Sequence, residues 1–245
     1  MSAEKSLAQR LIGLLDLTSL NDAHDDDMAA LCKRALSVTP RPAAVCGWPE
    51  FTAACARRLE GSGVALAVVA NFPSGQEEPE AVEAEVIAAL TAGAGEIDLV
   101  WDWRSWQEGR KSEAVALVER IALLTRGQAK LKVILESGAF EGRADLPEAA
   151  RACLDAGADF LKTSTGKTGK GASHEAARIF LEAIAERGGS AGFKASGGIR
   201  TLNDAKGYLD LATEILGEGW ADAEHFRIGA SSLLDALLAV AGQEG

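Results

Sequence analysis

Residues 147–164 read PEAARACLDAGADFLKTS, and the order of patterns within them decides the fold. The first ten residues have the 3.6-residue rhythm of an amphipathic helix, with proline in the first turn, where a missing N–H costs little. An Ala-Gly-Ala turn then ends the helix, since glycine takes the left-handed conformation that closes helices. DFLKTS (159–164) follows as a short apolar run without polar alternation, the mark of a strand buried on both faces of a parallel sheet. Working outward, TAGAGEID repeats the helix–glycine–strand junction before residue 98.

Eight such strands are predicted: 14–20, 43–48, 65–72, 96–101, 131–137, 159–164, 192–196 and 226–231. Helical patterns lie between them at 25–36, 50–60, 77–92, 112–126, 147–156, 174–187, 203–217 and 231–241, and an extra N-terminal helix spans roughly 3–12. Eight strand–helix units are the count of a TIM (β/α)₈ barrel. An open doubly wound sheet is the alternative, but its GxGxxG turn after the first strand is missing. No linker or low-complexity segment interrupts the chain, so residues 1–245 are expected to form a single barrel domain.

The 245 residues are 47% hydrophobic and 25% charged, which suits one large α/β core. A net charge of −11 argues against nucleic acid or an anionic membrane as the main partner. Cys32, Cys46, Cys55 and Cys153 form no CxxC pair and no zinc spacing, so they read as reduced thiols of a cytoplasmic protein. The N-terminal segment lacks the apolar core of a signal peptide, and no apolar run is long enough to span a bilayer.

Active sites of such barrels sit at the C-terminal ends of the strands. Those ends carry Asp16, Asn71, Asp98, Glu136, Lys162 and Lys194. Strand alternation turns Asp16, Asp98, Lys162 and Lys194 into the barrel if any one of them points inward. Buried lysines are expensive and call for a chemical reason. One reason is amine nucleophilicity. A lysine ordinarily titrates near 10.4, and a nucleophilic amine is better placed near 7–8, a difference of roughly 3–5 kcal/mol. A second ammonium at about 5 Å supplies roughly 3 kcal/mol at an effective dielectric of about 20. This arithmetic does not say which lysine is the nucleophile. The competing reading is structural: both lysines as buried ion-pair partners of Asp16, Asp98 or Glu136.

The glycine-containing loops ASGGIR and IGASSLL follow the last two strands, where barrels commonly bind phosphate. The second opens a helix with two serines, so its free N–H groups attract an anion. Arg200 and Lys167 add positive charge. His24, His174 and His225 do not converge on the predicted mouth, so no metal site is expected. Cys46 ends the second strand without a basic partner and reads as core lining.

At these residues the chain resembles the deoxyribose-phosphate aldolases, class I Schiff-base aldolases with a TIM-barrel fold. The resemblance runs through LLDLTSLND (14–22), AAVCGWP (43–49), VANFPSG (69–75), GEIDLVW (95–101), LKVILESG (131–138), GADFLKTSTGK (157–167), GFKASGGIRT (192–201) and FRIGASSLL (226–234), in family order and spacing. It implies that Lys162 forms the carbinolamine and imine, that Lys194 lowers the pKa of its neighbour, and that Asp98 shuttles protons through a bound water. It implies further that Gly166, Lys167, Gly197, Gly198, Arg200, Gly229, Ser231 and Ser232 surround the substrate phosphate, and that Asp16 and Thr18 hold the sugar and the proton network. The implied reaction is reversible cleavage of 2-deoxy-D-ribose 5-phosphate to acetaldehyde and D-glyceraldehyde 3-phosphate, without cofactor, in a homodimer. Another class I phosphosugar aldolase or transaldolase-like enzyme, or a non-catalytic phosphate-binding barrel, are the rival readings. Some family members end in a tyrosine-bearing tail, whereas this chain ends AGQEG and has only Tyr208, in a predicted helix. WDWRSW (101–106) is unusual and reads as helix packing.

Overall fold

The computed structural model describes residues 2–21 and 24–243; the last two residues of the AGQEG end lie outside the described residues. The chain opens with α1 (Ala3–Ile12), β1 (Leu15–Thr18), α2 (Asp25–Ser37) and β2 (Ala44–Gly47). It continues through α3 (Thr52–Leu59), β3 (Ala65–Ala70), α4 (Pro79–Thr91) and β4 (Glu96–Val100). A short helix α5 (Trp103–Gln107) precedes α6 (Lys111–Thr125), β5 (Lys130–Ile134), α7 (Leu146–Asp155) and β6 (Phe160–Lys162). The last elements are α8 (His174–Glu186), β7 (Gly192–Ser196), α9 (Leu202–Leu216), β8 (Phe226–Ala230) and α10 (Leu233–Ala241). The eight parallel strands close in sequence order, with β1 paired to β8. The fold is therefore a TIM barrel with α1 ahead of the first strand, packed against α10 and α9.

Alternation along the strands sorts the core into two clusters. Leu15, Leu17, Val45, Val68, Leu99, Val133, Leu161, Phe193 and Ile228 face outward and join the helices in one large apolar layer. Ala44, Cys46, Ala67 and Val69 face inward from β2 and β3 and form a separate small cluster with Leu20. Each outward leucine or isoleucine taken from water contributes about 1.5–3 kcal/mol, so the layer outside the barrel is the main source of stability.

Two local sequence choices fix the shape of the strand ends. Gly192 sits where a Cβ would lie 2.3 Å from the Phe160 ring, so glycine lets the ring occupy the barrel interior. β6 spans Phe160–Lys162, shorter than its sequence pattern, and beyond it the Thr163 N–H still donates to the Lys194 carbonyl at 3.0 Å. Side chains continue the ladder there: Ser196 N–H donates to Thr163 Oγ1 at 3.0 Å, and Thr163 Oγ1–H donates to the Ser196 carbonyl at 3.1 Å. WDWRSW contributes α5, whose Trp106 packs on Trp101 with ring centroids 5.3 Å apart; both rings are buried.

Candidate active site

The barrel floor is a network of seven charged side chains from six strands. Asp16, Glu96 and Asp98 supply three carboxylates; Lys132, Lys162, Lys194 and Arg227 supply four cationic groups. Arg227 donates to Asp16 at 2.7 Å and to Glu96 at 2.9 Å. Lys132 donates to Glu96 at 2.5 Å and to Asp98 at 2.8 Å. Lys194 donates to Asp16 and, at 2.7 Å, to Asp98 Oδ2. Lys162 donates to the same Asp98 oxygen at 2.6 Å, its one ion-pair partner among the described residues. The register explains the convergence. Lys162 is paired with Lys194, Lys194 with Arg227, and Asp98 with Lys132, so these side chains emerge inward at neighbouring heights.

Lys162 and Lys194 touch one oxygen, so their nitrogens are separated by no more than the sum of 2.6 and 2.7 Å. Their electrostatics nevertheless diverge. Burial lowers the Lys162 pKa; the Asp98 carboxylate opposes this, and the Lys194 ammonium adds to it. Burial pulls Lys194 the same way, but Asp16 and then Asp98 outweigh it and raise the pKa above the usual lysine value. Lys132 is likewise raised, because Asp98 and Glu96 overcome burial. For Asp98, burial alone would raise the pKa, and Lys132, Lys162 and Lys194 together drive it well below the carboxylate range. Asp16 is lowered against burial by Lys194 and Arg227. The leading influence on Lys162 is thus burial, with the neighbouring ammonium secondary, which corrects the weight the sequence arithmetic gave to the second charge.

A cavity of about 230 Å³ opens above this floor and is lined by Thr18, Lys162, Gly166, Lys167, Arg200 and Ser231, among others. Gly197, Gly198, Gly229 and Ser232 complete the predicted set along the same wall. The glycines have physical reasons. Gly197 has φ 90°, and a Cβ on Gly171 would lie 2.2 Å from the Gly197 carbonyl oxygen. The loops after β6 and β7 therefore meet backbone to backbone, joined by the Ala172 N–H donating to Gly197 O at 3.0 Å. A Cβ on Gly229 would press on Lys194 Cε at 3.0 Å. Ser232 is the residue before α10 and makes no side-chain cap bond, so the helix N-terminus faces the cavity with donors available. Such an end favours an anion.

Every predicted site residue is either in the floor network or along this cavity: Asp16, Asp98 and Lys194 below, the rest on the walls. Two other strand-end residues stand apart. Asn71 braces its own loop, donating to Val100 O at 2.9 Å and accepting from Glu77 N–H. Glu136 pairs with neither lysine; it accepts from Thr165 and Thr168 instead. Among the structural alternatives, the lysines do bind Asp16 and Asp98, and Glu136 drops out as a partner. Lys132, Glu96 and Arg227 were missed by the sequence reading. Their signal was parity: each stands two or an even number of positions below an inward strand-end residue, or level with one on the next strand. Cys46 lines the same interior, with Sγ 3.9 Å from Asp98, and burial followed by Asp98 raises its thiol pKa.

A larger cavity of about 670 Å³ lies beyond the β6 loop, against Ser137, Phe140, Arg143, Leu146 and Lys170. Lys170 is ion-paired with Glu141 there, and no second lysine approaches. The smaller cavity has the converging chemistry and is the candidate site. The histidines sit elsewhere: His24 caps α2, His174 stacks on Tyr208 at 4.6 Å, and His225 bonds Asp222. Tyr208 is buried in α9, with burial raising its phenol pKa to about 12. Among the described residues no group of three or more His, Cys, Asp or Glu is arranged to hold a metal ion, and no helix is long and apolar enough to cross a membrane.

Known proteins share this fold. The chain is similar to the deoxyribose phosphate aldolase from Aeropyrum pernix, whose structure is described as uniquely tetrameric, at 30% identity over 98% of this chain and 92% of that one, with a TM-score of 0.76. It is similar to a provisionally assigned deoxyribose-phosphate aldolase from Coccidioides immitis at 28% identity, covering 95% and 86% of the two chains, with a TM-score of 0.82. A protein from Toxoplasma gondii ME49 with the same provisional assignment shares 25% identity over 98% and 97%, with a TM-score of 0.86. Residues 10–239 match the model of one family, and by that match the chain belongs to the DeoC/LacD family of aldolases.

Proposed function

We propose that the protein is a 2-deoxy-D-ribose 5-phosphate aldolase working through a Schiff base on Lys162. The observation that carries the reading is the charge inventory of the floor: three carboxylates face four cationic groups, so the network is neutral when one amine is uncharged. Lys162 is the amine with the fewest carboxylate partners, the one on which burial outweighs the carboxylates and leaves the pKa lowered, and the one that lines the cavity. A neutral amine there is a competent nucleophile.

In the cleavage direction the Lys162 amine adds to the substrate C1 carbonyl, and the carbinolamine loses water to give a protonated imine. A base then takes the C3 hydroxyl proton. The C2–C3 electron pair moves into the imine, leaving an enamine, and glyceraldehyde 3-phosphate departs. Protonation at C2 and addition of water release acetaldehyde and the free amine. Asp98, in contact with Lys162, is the group suited to pass these protons, with Lys194 and Lys132 holding it ionised. The iminium that forms on the Lys162 nitrogen lies against the Asp98 carboxylate, the partner that offsets its charge.

The two sides of the mouth differ. Gly197, Gly198, Arg200, Lys167, Ser231 and Ser232 offer small residues, cations and a helix N-terminus, suited to the phosphate end. On the β1 side Leu20 lines the mouth, backed by the buried apolar cluster that it forms with Cys46 and Val69. A methyl carbon fits there better than a hydroxylated donor, which favours acetaldehyde over a hydroxylated donor aldehyde or ketone. We further propose that the 245 residues act as one catalytic domain.

Incubation with acetaldehyde and borohydride, followed by digestion, is expected to place the label on Lys162, and a coupled assay to detect glyceraldehyde 3-phosphate from deoxyribose 5-phosphate. A label confined to Lys194, or no label, overturns the reading.

A further inference from the structure

Glu136 is a fully buried carboxylate that the floor network does not use. It lies two residues past the end of β5 and has φ 52°, a left-handed conformation uncommon outside glycine. Among the described residues no lysine or arginine forms an ion pair with it. Burying a carboxylate with no cationic partner in a strained backbone position is costly, and such positions persist where the surroundings over-determine them.

What Glu136 holds is the loop after β6. Its Oε2 accepts from the Thr165 N–H at 3.3 Å and the Thr165 hydroxyl at 2.5 Å, and its Oε1 accepts from the Thr168 hydroxyl at 3.2 Å. With its proton committed to Glu136, Thr165 Oγ1 is an acceptor, and the Lys167 N–H donates to it at 3.0 Å. Carboxylate, threonine hydroxyl and Lys167 amide thus form one chain that folds residues 165–168. The backbone reinforces it: Leu135 N–H donates to Lys162 O and Ser137 N–H to Thr163 O. The opposite side of this loop presents Thr165, Gly166 and Lys167 to the candidate cavity, which Glu136 itself does not line.

We infer that Glu136 is a positioning residue: by orienting the Thr165 hydroxyl and the Thr165–Thr168 turn, it sets the grip on the phosphate end of the substrate while leaving imine formation alone. The inference rests on the aldolase reading for its substrate, and the test separates the two. Three measurements are made on the full-length protein and on the variants Glu136→Ala, Glu136→Gln and Thr168→Val: KM for deoxyribose 5-phosphate, affinity for inorganic phosphate by titration calorimetry, and the rate of borohydride trapping with acetaldehyde.

Loss of charge-assisted bonds to the loop is expected to raise KM and the phosphate dissociation constant about tenfold or more in Glu136→Ala. Glu136→Gln, which keeps one acceptor oxygen, falls between that variant and wild type. Thr168→Val, an exposed change that leaves the Thr165 bonds, shows a smaller rise in the same direction. Trapping by acetaldehyde, which has no phosphate, stays within about twofold in all three. Unchanged phosphate affinity and KM overturn the inference. So does a parallel loss of trapping, which makes Glu136 a general support of the mouth. If Glu136→Ala does not fold, Glu136→Gln and Thr168→Val still decide. Failure of the wild-type protein to trap acetaldehyde sinks the aldolase reading instead, and phosphate affinity continues to test Glu136.

Discussion

Replacing Lys194 by methionine removes a cation and keeps a side chain of similar length. The floor then holds Lys132, Lys162 and Arg227 against Asp16, Glu96 and Asp98, three of each sign. Neutrality now needs Lys162 protonated. The structure sets the size of the effect, because both lysine nitrogens lie within hydrogen-bond reach of Asp98 Oδ2. At the separation this allows, about 5 Å, the lost repulsion amounts to about 3 kcal/mol for an effective dielectric of about 20. That is roughly a hundredfold gain in the proton affinity of Lys162. The freed side of Asp98 adds to the gain. The sign follows directly: the reactive form is the neutral amine, so the acid limb of the trapping rate moves to higher pH. At neutral pH Lys194→Met traps acetaldehyde about a hundredfold more slowly than wild type, and the deficit narrows as pH rises. Lys194→Arg, which keeps the charge, leaves the limb closer to its original place. The assay is borohydride trapping across a pH series, with thermal unfolding recorded to confirm the fold. A Lys194→Met profile lowered equally at every pH, with an unmoved limb, would refute the charge argument.

Arg227→Met leaves Asp16 and Glu96 buried with one cation fewer, and urea unfolding is expected to show a loss of about 3–5 kcal/mol; adding Glu96→Gln recovers part of it. Gly171→Ala drives a Cβ against the Gly197 carbonyl, a backbone contact that no rotamer relieves, so KM for the phosphosugar rises together with a loss of about 1–3 kcal/mol. Gly61→Ala, at φ 67° with open space around it, costs only about 1–2 kcal/mol of conformational strain and leaves kinetics unchanged. The depressed pKa values of Asp16 and Asp98 stabilise the folded state fully above the unfolded aspartate value near 3.9. That contribution is lost only as pH falls through the lower folded values, so circular dichroism should show the barrel surviving mild acid and unfolding at strongly acidic pH.

The barrel was readable because each strand is an apolar run and every αβ junction except the one between α2 and β2 carries a glycine, as at Gly93 and Gly157, both with positive φ. Lys162, Lys194, Asp98 and Asp16 were readable because strand parity and position at the C-terminal end coincide for them. Lys132, Glu96 and Arg227 were not picked out, because they sit deeper in their strands, where charge has no evident purpose until the partners across the barrel are known. Arg227 meets Asp16 over 211 residues of separation, and no local pattern encodes that meeting. Glu136 was visible as a strand-end carboxylate, but its partners come from a threonine-rich loop that reads as ordinary turn chemistry. The short helix α5 was hidden in WDWRSW, where three tryptophans mask the helical period.

The ionic web draws on β1 and on β4 through β8, and leaves β2 and β3 out. Their inward side chains, Ala44, Cys46, Ala67 and Val69, are small and uncharged. Apart from the Cys46 thiol, which reaches Asp98 at 3.9 Å, this sector of the interior takes no part in proton bookkeeping. It is the natural place to enlarge the enzyme's appetite for bulkier carbonyl partners, since volume can be carved there without rewiring a single charge.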